Sequence, residues 1–138
     1  EKGDKPKVAA YAKRLLETLP AKPAPNGMPD EDWVRNKQLK LGIAHWMLGV
    51  IASKDQRWPD ADLHLRAALP FVAPNRDIHA ETLYHLGLAN FKLGEAKSDT
   101  RRLTDAVRFN QQCAAIPGSF QLQARQNAAS IRSQFHLQ

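Results

Sequence analysis

Between Ala80 and Gly94 the chain reads AETLYHLGLANFKLG, fifteen residues without a proline. Leu83, Leu86, Ala89 and Leu93 fall at helical spacing, and Tyr84, Leu88 and Phe91 widen the apolar stripe. Gly87 sits in the middle of this helix, where glycine costs roughly 1 kcal/mol relative to alanine. A glycine held there predicts a second helix crossing too close to admit a side chain. The stretch therefore demands a neighbour, and helix-on-helix packing follows.

The flanking sequence supplies candidate neighbours. Over residues 7–20, Val8, Ala12, Leu15, Leu16 and Leu19 form one stripe; Pro6 suits a first helical residue and Pro20 a stop. Residues 21–29, AKPAPNGMP, are too rich in proline for a helix. Asp30, Glu31 and Asp32 then favour a helix N-terminus. That helix is expected to run to about Lys54 with Trp33, Leu39, Ile43, Trp46, Leu48 and Ile51, and Gly49 follows Leu48 as Gly87 follows Leu86.

Trp58-Pro59 opens a further helix carrying Ala61, Leu65, Ala68 and Leu69, closed by Pro74. After Gly94, EAKSDTRRLTD reads as a long turn with a basic knuckle at Arg101 and Arg102. Val107, Asn110, Cys113 and Ala114 follow on the next helix, Asn110 being a polar departure. Ser119 is a plausible N-cap for a last helix with Leu122, Ala124, Ala128, Ile131 and Phe135. The expected fold is all-α, about six helices in a single domain over residues 1–138.

These residues resemble the tetratricopeptide repeat, whose pattern runs W-x2-L-G-x2-Y, then A-x3-F, then P. Leu48-Gly49 and Leu86-Gly87 supply the Leu-Gly pair, 38 residues apart. Ala61 lies 12 residues after Gly49, the family's spacing, whereas Ala106 lies 19 after Gly87, implying seven residues inserted at that turn. The resemblance implies an α-solenoid of antiparallel helix hairpins. Residues 7–20 become the second helix of a partial repeat, 21–29 a proline-rich linker, and 30–75 a full repeat with an extended first helix. Residues 77–118 become a second repeat with a long turn, and 119–136 a capping helix. It also implies a fragment of a longer bacterial array, with the compartment open between cytoplasm, periplasm and exterior.

In such arrays the first helix of each repeat lines a concave wall. By register that wall carries Trp46, Val50, Lys54, Tyr84, His85, Leu88, Phe91, Lys92, Arg125 and Arg132. The resemblance thus implies a non-catalytic scaffold that takes a peptide or helix, with an apolar centre and cationic margins. Val50 and Leu88 stand where some relatives carry clamp asparagines, so recognition of an acidic C-terminal tail is not implied.

No catalytic signature is present: there is no G-x-S-x-G, H-E-x-x-H, glycine-rich phosphate loop or cysteine pair. His45, His64, His79, His85 and His136 read as surface or packed side chains, and Glu81 with His85 lacks a third metal ligand. Lone Cys113 reads as packing. No enzyme activity, cofactor or small-molecule substrate is expected, and the longest nearly apolar run, residues 41–52, is too short for a membrane span. The formal charge of +6 favours an acidic partner and keeps a polyanion binder as an alternative, nucleic acid being the less expected occupant. A spacer within a longer array is the remaining alternative. The oligomeric state is open.

Overall fold

The computed structural model describes residues 4–137. Six α-helices succeed one another: α1 (Lys5–Thr18), α2 (Asp30–Lys54), α3 (Trp58–Val72), α4 (Arg76–Lys97), α5 (Thr100–Ala114) and α6 (Gln121–Phe135), with a short 3-10 turn at Leu19–Ala21. No strand occurs among the described residues.

The helix starts follow local chemistry. Pro6 and Pro59 lie in the first turns of α1 and α3, where a missing N–H costs nothing. Three carboxylates open α2. The Asn75 side chain accepts from the Ile78 N–H at 3.1 Å, and Asp99 accepts from the N–H groups of Arg101 and Arg102. Ser119 does not cap α6: Phe120 holds that position without a side-chain bond. Pro70 lies within α3, which continues past it because Val72 is buried and Phe71 packs on Gly42.

Each helix packs against the next in sequence. Gly49 lets α3 approach α2 so closely that a Cβ there would stand 2.5 Å from Leu65 Cγ. At Gly87 it would stand 2.5 Å from Asn110 Nδ2. Both values are below any tolerable carbon contact, so the mid-helix glycines mark backbone crossings. Ala128 is buried with Ala106, Val107 and Ile131 between α5 and α6. The central core joins Leu65, Leu83, Leu86, Ala89, Phe109 and Cys113; a second cluster of Ala12, Ala44 and Leu48 seats α1 on α2.

The long turn expected after Gly94 does not exist. Only Ser98 and Asp99 separate α4 from α5. Gly49 stands seven residues before Gln56, the left-handed residue of the α2–α3 turn, whereas Gly87 stands eleven before Ser98, its counterpart. Ala61 follows Gln56 by five residues and Ala106 follows Ser98 by eight. The seven extra residues are split four and three, so each arm of the hairpin gains about one helical turn and keeps its buried face.

Arg102 consequently lies on a helix, not on a solvated knuckle, and its guanidinium donates to Asp62 Oδ2 at 2.8 Å. Asp62 Oδ1 accepts from Arg66 and from Asn90 Nδ2, both at 2.8 Å. Asn90 Oδ1 accepts from both arginines, and Arg66 reaches Asp105 at 3.0 Å. Burial alone would raise the Asp62 carboxyl, but the bonds from Arg102, Arg66 and Asn90 outweigh it and hold its pKa below the usual value. This network ties α3, α4 and α5 together.

Candidate docking wall on α2, α4 and α6

Beyond its sequence neighbours, α4 touches α2 on one side and α6 on the other. No close backbone contact joins α1 to α3, or α3 to α5, among the described residues; the long side chains of Arg66 and Arg102 span the second gap. The even-numbered helices therefore form the tighter row, and most of the sequence-derived wall lies along it.

At the N-terminal end of α4, Trp46 lines a hollow of about 390 Å³ with Ile78, Glu81 and the 117–120 segment. Its floor includes Phe120, whose ring lies 4.9 Å from that of Tyr84. Trp46 Nε1 is buried without a partner among the described residues. Further along α4, Leu88, Phe91 and Lys92 line a second hollow of about 190 Å³ with Asn110, Asn127 and Ile131. Lys54, at the end of α2, is exposed.

Three of the ten expected wall residues are placed otherwise. Val50 is 8% exposed and belongs to the core, because α2 turns that position toward α3 and α4. Arg125 and Arg132 share a face, but that face turns toward α5, where they line a separate hollow with Gln111 and Ala114. The α4-facing side of α6 carries Asn127, Ser130 and Gln134 instead.

His85 lies largely inside the row, its Nδ1 2.8 Å from Ser53 Oγ. Burial, with Lys54 nearby, lowers its pKa to about 4. It is neutral at pH 7 and links α2 to α4 rather than offering a charge. His45 and His64 bridge α2 and α3 through Nδ1 atoms 3.0 Å apart, and burial lowers both pKa values. Burial likewise raises the Cys113 thiol to about 11, so it carries no thiolate at neutral pH. No cluster of three or more His, Cys, Asp or Glu is arranged to hold a metal ion among the described residues. Nor is any described helix long and apolar enough to cross a membrane.

Phe120, Asn110 and the polar stripe of α6 line these hollows without being expected there. Their signal was present: Asn127, Ser130 and Gln134 recur at i, i+3 and i+7, a pattern that in isolation reads as a wet face. A further apolar hollow of about 400 Å³ lies elsewhere, over α1 and α2, lined by Tyr11, Leu15, Trp33, Leu39 and Met47. Comparison with protein-family models, curated proteins and solved structures found no match to this chain.

Proposed function

We propose that this chain is a non-catalytic docking module, an α-solenoid of tetratricopeptide type, that holds a peptide or short helix along α2, α4 and α6. The observation that carries this reading is the pair of hollows along α4, one before Tyr84 and one from Gly87 onward, each with an aromatic and polar side chains in its lining. Aromatic side chains half-exposed in concave places are what peptide anchors pack against. Lys92 has no carboxylate partner among the described residues, which favours an acidic residue in the occupant near that end.

The polyanion reading loses ground here, because Arg57, Arg66, Arg102 and Arg108 are engaged with aspartates of the same chain. One observation favours the spacer reading: the apolar hollow over α1 and α2, where Tyr11 is 59% exposed, is suited to another helix pair of an array. The readings separate by binding measured at two salt concentrations with peptides selected on the folded chain. Docking at the wall predicts retention of most affinity at high salt and its loss in Phe91→Ala. A steep fall with salt supports the polyanion binder. Failure of any peptide to bind, with self-association at the α1–α2 face, supports the spacer.

A further inference from the structure

Exposed apolar surface is concentrated at one end of the molecule. Among the described residues six large apolar side chains are exposed, and four of them, Val8, Tyr11, Val34 and Leu39, lie on α1 and the first half of α2. The cause is a difference in helix length. α3 ends at Val72, where its Phe71 packs on Gly42, so residues 30–41 of α2 run on past it.

Two apolar stripes border the hollow found there. Tyr11, Leu15 and Leu19 stand four residues apart along α1 and the turn that ends it; Leu39, Ile43 and Met47 stand four apart on α2. The hollow between them measures about 400 Å³. Each stripe spans about 12 Å, the length of roughly two helical turns. The groove therefore has the dimensions of a seat for a third helix.

The Leu19 end of this groove is cationic. Trp33 is held there by its Nε1, which donates to the Lys22 carbonyl at 2.8 Å. The ammonium groups of Lys37 and Lys40 lie 5.6 and 5.8 Å from its ring centre, and Lys22 joins the lining. Asp30, Glu31 and Asp32 open α2 nearby, but Asp32 pairs with Arg35, and no carboxylate among the described residues lies within ion-pair distance of Lys22, Lys37 or Lys40. Over residues 5–22, Lys5, Lys7, Lys13, Arg14 and Lys22 are set against a single carboxylate, Glu17. The chain thus leaves the charge around its own apolar groove unbalanced.

We infer that this groove takes an acidic amphipathic helix of another protein. Its apolar residues, at i, i+4 and i+7, fill the hollow, and its aspartates or glutamates meet Lys22, Lys37 and Lys40. Charge decides against a second copy stacked end to end, because α6, the last helix, carries Arg125 and Arg132 and no carboxylate. Shape decides against a lipid surface, since the apolar surface is sunk between two helices rather than raised from one. The inference stands apart from the wall on α2, α4 and α6, whose two hollows share no residue with this one.

The test uses two synthetic helices with the same leucine stripe, one with glutamates on its flanks and one with lysines in their place. Each is titrated into the 15N-labelled chain while the indole N–H signals of Trp33 and Trp46 are followed; Trp33 reports on the groove and Trp46 on the wall. The expected result is a saturable shift of Trp33 with the glutamate helix, Trp46 unmoved, at an affinity at least about tenfold above that of the lysine helix. The double variant Lys22→Glu with Lys40→Glu alters two exposed side chains and should reverse the preference. Should it not fold, Leu39→Glu, which sets a carboxylate in the lining from an exposed position, should abolish the shift. Equal affinity for the two helices overturns the inference, as does a shift of Trp46 alone. Silence toward both helices overturns it too: dimers in sedimentation then assign the face to a second copy, and a Trp33 shift with phosphatidylserine vesicles assigns it to a lipid surface.

Discussion

Gly49 and Gly87 stand mid-helix, where glycine costs roughly 1 kcal/mol against alanine, because the crossing helix leaves no room for a Cβ. The spacing around them could not say which partner atom fills the room: Leu65 in one case, the Asn110 amide in the other. The difference is testable at Gly49. Gly49→Ala pushes a methyl into Leu65, which is fully buried and has the α3 backbone behind it. Overpacking of that kind costs about 1–3 kcal/mol, and the better helix propensity of alanine returns up to about 1. A net loss of about 1–2 kcal/mol is expected in urea unfolding. An unchanged midpoint would mean that the helices can part there. Val50 was misplaced at this same scale, since its rotation about α2 depends on where α4 lies, and local periodicity does not contain that.

At the scale of elements, the helices and most of their ends could be read from prolines, acidic first turns and capping residues. The α4–α5 turn could not. Four residues added to one arm and three to the other preserve both faces, so they look like a loop when aligned on small residues and like helix when built. That lengthening carries Arg102 onto α5 within reach of Asp62. Asp62→Ala leaves two guanidinium groups and Asn90 Nδ2 short of their acceptor. Because both arginines are part-exposed, the expected loss is about 2 kcal/mol, below that of a fully buried pair. Asp60→Ala, which removes an exposed pair with Arg57 and a carboxylate from the first turn of α3, should cost under about 1 kcal/mol. Equal losses from the two substitutions would show that the network contributes no more than a surface pair.

For the whole molecule, part-buried imidazoles link the helices and contribute to the response to acid. His45, His64 and His85 all have pKa values lowered by burial. Unfolded, they take up protons near pH 6.5; folded, His85 does so only near 4. The unfolded chain thus binds more protons between those values, and stability present above about pH 6.5 is lost as pH falls through that window. For His85 alone the loss approaches about 3 kcal/mol. Asp62 acts in a lower range, since its depressed carboxyl keeps its contribution until the pH drops below the ordinary 3.8. Unfolding free energies at pH 7 and pH 4.5 should therefore differ clearly for the parent and less for His85→Gln. A pH response identical in both chains would remove His85 from the account.

The sequence spacing anticipates that Leu88, Phe91 and Lys92 share one face of α4, but not which face of α6 meets them, because that depends on the angle of α6 against α5. The central claim is that this row is where a partner docks. Selection of random peptides on the parent chain, followed by measurement of each enriched peptide against Phe91→Ala of matched helix content, addresses it most directly. Docking along the row predicts that affinity for the enriched peptides falls at least about tenfold in Phe91→Ala, the loss of an aromatic anchor. Enriched peptides that bind both chains equally would contradict it.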